Sequence, residues 1–357
     1  MVWLALRRWG PRRWSDVRLC LREGLVPRDL DEARENIGPG AEQSWVSPRA
    51  KRAICALLDP EGAGDDRALS DKCHFDRLAR AAGLPLPETI GRGALDAPLP
   101  AWIESGSGLI LKRGYSLQGK GIAALAREGA EWRADGGPVV DLIGWLRANL
   151  DPAGNVQRRL RTHAALADLS PTALPTLRVI VCLDERGEPE PTHAFLRLGP
   201  IGSALDNFSA GGISAAANLG TGILAEARIR HGRGGRVDRI SRHPVTDAAI
   251  EGREVPLFQA AVALAAEAHR RLFGGRRVLI GWDIGLSEDG AMLIEGNWNP
   301  GSPLLQLVSG TGIAGHRLGD LMTFHLRRLQ PSVFASMPVV MRMRGPPAPP
   351  APALHLQ

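Results

Sequence analysis

The sequence predicts a mixed α/β protein of more than one domain. Residues 1–90 read as a mostly helical N-terminal region, 91–160 as a small α/β unit, 161–330 as a larger domain with a mixed sheet, and 331–357 as a tail. Three stretches carry this expectation. Gly281–Gly301, GWDIGLSEDGAMLIEGNWNPG, reads as a β-hairpin: Val278–Ile280 with Ile284 form one apolar run, Ala291–Ile294 form the next, and Ser287–Gly290 supply the turn. Pro256–Phe273 repeats Leu257, Ala260, Ala261, Leu264, Ala265, Ala268 and Leu272 at helical spacing and stops at Gly274–Gly275. Gly108–Leu111 is a short apolar strand that delivers Lys112 into a glycine-rich loop.

The hairpin also carries the chemistry. Asp283 lies on its first strand, and Glu295 and Asn297 follow the second, two positions apart and so on one face. Three oxygen-bearing side chains then gather at one end of a two-stranded ribbon. Such hard donors suit Mg²⁺ or Mn²⁺. The plainer reading is a solvated hairpin with acidic strand ends. Against it, Asp283 sits between Trp282 and Ile284, and Glu295 follows four apolar residues; charges at the ends of buried strands are costly unless paired or metal-bound.

Asp, a Glu twelve positions on, then Asn-x-Asn-Pro-Gly, resembles the metal-binding end of the ATP-grasp superfamily. The wording GWDIGL…LIEGNWNPG is most similar to its sugar-transfer-associated branch, a relative of the glutamate-adding carboxylate–amine ligases. The resemblance spans most of residues 15–330. It implies an ATP-grasp architecture, with a small lid domain over a larger mixed-sheet domain that holds the metal site.

Composition is that of an ordinary soluble globular protein. The chain has 357 residues, 44% hydrophobic and 23% charged, with a net charge of +6 and a pI near 9.7. That balance suits anionic ATP and anionic substrates, and with no long basic run no nucleic-acid partner is expected. Of 44 basic residues only four are lysine: Lys51, Lys72, Lys112 and Lys120. A chain that uses arginine so consistently keeps lysine where a compact ammonium on a flexible stem is needed. The last three fall at nucleotide positions of the resemblance. The four cysteines, Cys20, Cys55, Cys73 and Cys182, form no CxxC pair, which fits a reducing cytoplasm. No apolar run reaches membrane-spanning length. The basic, Trp-rich stretch Met1–Gly24 lacks a signal-peptide core and reads as a docking helix or frayed end, with a membrane-surface role as the alternative. Oligomeric state is left open, a homodimer included.

In chain order, Pro48–Leu58 gives a short helix, and Lys72–Ala82 another, with Ser70 as its N-cap and Gly83, Pro85 and Pro87 as its stop. A cation in a first helical turn calls for a ligand or partner, and the resemblance sends Lys72 to the ATP phosphates. Lys112 precedes the loop Arg113–Gly121. Gly114, Gly119 and Lys120 nearly match a Walker A P-loop, but Gly121 stands where Ser or Thr would hold Mg²⁺. The resemblance makes the loop a lid, with Gly119, Lys120 and Gly121 over the triphosphate; a bare surface loop is the alternative. Asn155–Leu160 reads as the strand toward the adenine, placing Gln157, Arg159 and Leu160 beside the nucleotide. Arg158 and Arg159 stand where many relatives carry an acid, so the ribose contact is unassigned.

Thr176–Leu183 and Pro191–Leu198 form a second hairpin through Asp184–Gly187, on which Arg178 and Arg197 are expected to face each other. Arginine suits phosphate or carboxylate through paired hydrogen bonds; a cross-strand surface role is the alternative. The resemblance makes Arg178, and with it Arg197, the neutraliser of charge on the transferred phosphoryl group. Asp206–Gly212 resembles the acceptor-side loop of this branch, giving Asn207, Gly211 and Gly212 to substrate. His269 is expected to pack or cap. Residues 303–329 form a last helix, and Gly345–Gln357 reads as a disordered tail. Together the resemblance implies an ATP- and Mg²⁺-dependent (or Mn²⁺-dependent) ligase with two ions, joining a small-molecule carboxylate to an amine or thiol through an acyl phosphate, in polysaccharide or cell-surface biosynthesis. A phosphotransferase and a non-catalytic nucleotide-binding partner of a glycan assembly system remain the alternatives.

Overall fold

The computed structural model describes residues 14–335 apart from 24, 65–66, 107, 115–121, 135–136, 201–210 and 232–235. Lys120, Gly119, Gly121, Asn207 and the Pro/Ala-rich tail lie outside the described residues.

Two antiparallel sheets organise the chain. The smaller runs β1-β6-β2-β3-β4-β5 and comprises β1 (Thr89–Gly91), β2 (Gly108–Lys112), β3 (Ile122–Glu128), β4 (Glu131–Ala134), β5 (Gly137–Val139) and β6 (Asn155–Arg158). Its apolar face, Leu109, Leu111, Leu125, Trp132 and Val156, packs on Leu95, Ile103, Leu146 and Leu150 from the flanking helical turns. The larger runs β11-β10-β9-β8-β7-β12-β13 and comprises β7 (Thr176–Leu183), β8 (Pro189–Leu198), β9 (Ile213–Ala217), β10 (Ala227–Arg230), β11 (Val237–Ile240), β12 (Leu279–Ser287) and β13 (Gly290–Asn297). The architecture is mixed α/β, as expected, but the sheet of the larger domain is antiparallel throughout and not mixed, because its neighbouring strands run in opposite directions at every pairing.

Strand alternation divides the large sheet into two faces. Leu177, Val179 and Val181 of β7, with Ile280, Trp282 and Ile284 of β12, point to one face. There they meet the helix Phe258–Phe273 through Ala261, Ala265 and Ala268, and the helix Lys72–Ala81 through Phe75 and Ala79. Small alanines let the long helix approach the sheet closely, and it ends at Gly274, whose φ of 50° a Cβ would resist. Ile180 and Cys182 of β7, with Leu279 of β12 and Phe195 of β8, point to the other face. The helices Pro48–Leu58 and Arg317–Leu329 cover that face through Ile54, Cys55, Leu318, Leu321 and Met322. Trp282 is wholly buried, so truncating it to alanine removes about 3–5 kcal/mol of stability. Among the described residues no helix is long and apolar enough to cross a membrane.

Three local expectations change. Residues 303–329 form two helices, Ser302–Ser309 and Arg317–Leu329, because Gly310 with φ of 69° ends the first. Asp71, not Ser70, caps the helix Lys72–Ala81, its carboxylate accepting from the His74 amide at 2.9 Å; Ser70 ends a separate short helix, Arg67–Ser70. A carboxylate at this position also opposes the positive end of the helix dipole, which a serine hydroxyl does less well. Arg178 and Arg197 do not face each other. Arg178 pairs with Phe195 in the ladder and Arg197 with Thr176, so the two arginines are diagonal neighbours on one face. The Asp184–Gly187 turn forms as expected: the Asp184 carboxylate accepts from the amides of Arg186 and Glu188, each at 2.8 Å.

Candidate functional site

The face carrying Ile180, Cys182 and Leu279 changes character along the strands. Paired positions run from Leu279–Cys182 through Gly281–Ile180 to Asp283–Arg178. Helices cover the apolar end, and charged side chains occupy the other. The β12–β13 ladder extends the charged row, since Asp283 pairs with Glu295 and Gly281 with Asn297. Register therefore aligns Arg178, Asp283 and Glu295 across three strands, with Asn297 beside them. A β-bulge after Asp283 re-aims the hairpin beyond the charged row.

These side chains are paired with cations. Asp283 is 3% exposed. Both its oxygens are taken by the Arg178 guanidinium, Nε donating to Oδ1 at 2.5 Å, and Arg197 Nη1 adds a bond to Oδ2 at 2.7 Å. Burial raises the Asp283 carboxyl above its usual range, against the pull of the two arginines. Glu295 accepts from Lys72 Nζ at 3.2 Å and from Asn297 Nδ2 at 3.3 Å. Burial pushes the Glu295 carboxyl upward too, but Lys72, Arg178, Lys112 and Arg197 outweigh it and hold it well below the usual carboxylate range.

Lys112 is different. It is 8% exposed. No hydrogen bond or ion pair holds its ammonium among the described residues. Burial, and then the charge of Lys72, push its pKa down to about 8. Four cations thus surround two carboxylates, and one of the four, Lys112, is buried with no hydrogen bond or ion pair among the described residues.

The other expected residues are placed as follows. Gln157 is buried and donates to Thr89 Oγ1 at 3.3 Å, within the small sheet. Arg159 donates to the Thr172 carbonyl at 2.7 Å, and Leu160 is buried. Among the described residues no hydrogen bond or ion pair joins these three to the charged row. Arg158 pairs with Glu88 and, at 2.8 Å, with Asp289, so it ties β6 to the turn between β12 and β13. Gly114 opens the expected lid. A Cβ there would lie 2.3 Å from Ala153 Cβ, and its amide donates to Asp151 at 3.0 Å, so the start of the loop is fixed by close approach. Gly211, with φ of 98°, and Gly212 lead into β9. His269 packs, as expected: it is wholly buried and its Nε2 bonds to the Arg277 carbonyl at 2.7 Å.

The residues fit a hard divalent cation in donor type. Among the described residues no three His, Cys, Asp or Glu side chains gather for a metal; the set here is two carboxylates and one amide. Glu295 accepts from the Asn297 nitrogen, and among the described residues no hydrogen bond reaches the Asn297 amide oxygen. That oxygen, with the facing carboxylates, is a suitable donor group.

Residues 148–320 match the family described as sugar-transfer associated ATP-grasp. Motif and match agree on that family. The matched ATP-grasp region contains Arg178, Arg197, Asp283, Glu295 and Asn297, whereas Lys72 and Lys112 precede it. A search of curated proteins by sequence finds no match. Among solved structures, the chain is similar to an N5-carboxyaminoimidazole ribonucleotide synthetase from Thermotoga maritima at 13% identity and a TM-score of 0.37, covering 66% of this chain and 44% of that one. It is similar to a D-alanine–D-alanine ligase from Bacillus anthracis at 13% identity and a TM-score of 0.42, covering 81% and 78%. An L-amino acid ligase from Bacillus licheniformis gives 11% identity and a TM-score of 0.43, covering 74% and 48%. The chain spans about half the length of the first and last of these proteins, and likeness at this level carries no argument about activity.

One lysine fell outside the sequence reading. Lys51, on the helix Pro48–Leu58, is buried and reaches the turn after Asn297. Its signal was the scarcity of lysine in the chain.

Proposed function

We propose that the chain is a Mg²⁺- and ATP-dependent carboxylate–amine ligase of the ATP-grasp kind, working through an acyl phosphate. The observation that carries this reading is the buried, unpaired Lys112 beside a carboxylate pair already neutralised by three other cations. A buried cation without a counter-ion is costly, and a polyphosphate removes that cost.

On this reading Lys112 and Lys72 hold phosphate oxygens of the nucleotide. Arg178 and Arg197 turn from Asp283 toward the transferred phosphoryl group as it acquires charge. Asp283, Glu295 and Asn297 would hold the divalent metal, two ions on the ATP-grasp resemblance. Bound there, Mg²⁺ supplies charge neutralisation and in-line alignment of the phosphate oxygens. A substrate carboxylate attacks the γ-phosphorus, ADP leaves, and an amine then displaces phosphate to form the amide. Positioning and electrostatics do the work, and no side-chain nucleophile is needed. The loop Arg113–Gly121 serves as the lid that keeps water from the acyl phosphate, and Asn207, Gly211 and Gly212 border the acceptor. The carboxylate belongs to cell-surface or polysaccharide assembly, and cysteines that form no disulfide among the described residues suit a reducing cytoplasm.

Calorimetry with a non-hydrolysable ATP analogue tests the core of this. Binding is expected with Mg²⁺ or Mn²⁺ present, and no binding under either condition overturns it. ADP release over pools of carboxylates and amines then identifies the substrates. Release that ignores the amine favours phosphoryl transfer to a hydroxyl instead.

A further inference from the structure

Lys51 is 1% exposed and forms no ion pair among the described residues. Its ammonium donates to the Pro300 carbonyl at 3.0 Å, to Cys55 Sγ at 3.2 Å and to Asn299 Oδ1 at 3.4 Å. Three N–H groups thus meet three neutral acceptors. Burying a charge with no counter-ion is a poor way to fill a core, since an apolar side chain of the same volume does so without the desolvation cost.

What the ammonium holds explains the arrangement. Two of its three acceptors belong to Asn299–Pro300, the turn that follows Asn297 and leads into the helix Ser302–Ser309. The same turn is pressed on the sheet from the other side. A Cβ on Gly281 would lie 2.7 Å from Pro300 Cβ, so the proline ring occupies the space above Gly281, and Gly281 is the ladder partner of Asn297. Pro300 is therefore held between a glycine of β12 and a lysine of the covering helix. Asn297, just upstream, has one side-chain bond among the described residues, the long one to Glu295. The clamp on the turn is what limits where its backbone sits.

We infer that Lys51 is a positioning residue for the Asn297 end of the site: it fixes the Asn299–Pro300 turn and so the amide oxygen offered to a divalent cation. The inference rests on the ligase reading, and it adds a residue from the N-terminal helices that the matched region does not contain. An apolar residue at position 51 keeps the packing and releases the turn, so stability and metal response separate. A merely structural lysine would move both together.

The experiment titrates Mn²⁺ into the full-length protein at a fixed concentration of non-hydrolysable ATP analogue. The readouts are the half-saturating metal concentration, by the electron paramagnetic resonance of free Mn²⁺, and the Tm. Lys51→Met is expected to raise the half-saturating Mn²⁺ about tenfold to a hundredfold, the usual loss when an outer partner of a ligand is removed, with Tm unchanged or higher. Lys51→Arg, which retains donors, is expected to recover part of the loss. Asn299→Ala, at a half-buried position, should shift the metal response in the same direction and serves if Lys51→Met fails to fold. Unchanged half-saturation in the folded variants, with metal dependence intact in the wild type, overturns the role of Lys51 alone. Absence of metal-dependent binding in the wild type overturns the functional reading and this inference with it.

Discussion

Arg178 stands directly opposite Asp283 in the β7–β12 ladder, and its guanidinium grips both carboxylate oxygens. Arg197 bonds the second oxygen from the neighbouring strand pair. Asp283 is thereby occupied by the two groups assigned to the transferred phosphoryl. Nucleotide binding on the proposed reading is an exchange of partners: guanidinium to phosphate, carboxylate to metal.

Asp283→Asn therefore acts in opposite directions on two kinds of binding. It removes the charge that holds both arginines, so the ATP analogue in excess chelator should bind about tenfold tighter, or ~1.4 kcal/mol. Metal-supported turnover should be lost. Calorimetry with and without Mg²⁺ measures both effects. Weaker chelator-phase binding in a folded variant argues against the exchange.

Glu295→Gln should abolish turnover while the fold survives. The side chain is 31% exposed and pairs with Lys72 and, at 3.9 Å, with Arg178, so the melting temperature should fall, each part-exposed pair contributing about 1 kcal/mol or less. A neutral amide cannot supply the charge the cations need. Steady-state kinetics beside a thermal melt separates the two quantities, and normal turnover would remove Glu295 from the metal site.

Nucleotide binding should take up a proton near pH 8. Burial first, and then Lys72, lower the Lys112 pKa from 10.5 to about 8. Phosphate favours the charged form and raises it again. Below pH 8 the amine is already protonated and no uptake occurs; above it the free protein has lost the proton and must regain it. Affinity should then fall about tenfold for each pH unit above 8 until the pKa of the complex is reached. Lys112→Arg, charged throughout, should remove this dependence. Binding enthalpies in buffers of different ionisation heat report the proton directly.

Acid should destabilise the fold before most carboxylates titrate. Burial lowers the pKa of His193 to about 3 and of His269 to about 4. The unfolded chain binds protons at both from pH 6.5 downward while the folded chain does not, so stability falls with pH across that window. Each should cost about 2 kcal/mol at pH 5. Urea unfolding from pH 8 to pH 4 tests this, and His193→Gln should flatten the curve by its share. A flat profile in the wild type rules out neutral buried histidines as the cause.

Much of the site was legible in the chain because it is local. Asp283, Glu295 and Asn297 belong to one hairpin, and alternation along a strand places residues two apart on one face whatever the rest of the fold does. The helix Phe258–Phe273 was readable for the same reason: its apolar repeat is within one element.

Relations between elements were not legible. The arginines were expected opposite each other, yet a β-bulge after Ile180 and the actual register set them diagonally. Strand register depends on how both partners pack, and a short motif does not encode it. The N-cap passed from Ser70 to Asp71 for a smaller reason: the helix Arg67–Ser70 ends on Ser70, so the next helix starts one residue later than the pattern implied.

By itself, the sequence determined the hairpin, the three oxygen donors, the lysine-bearing strand and the mixed α/β class, all products of spacing within single elements. Only the tertiary structure decided which cations neutralise which carboxylates, that Lys112 is left buried and unpaired, and that Lys51 reaches the turn after Asn297 from 248 residues before Asn299. Those outcomes follow from burial and from partners brought together across long stretches of chain, and no local spacing records them.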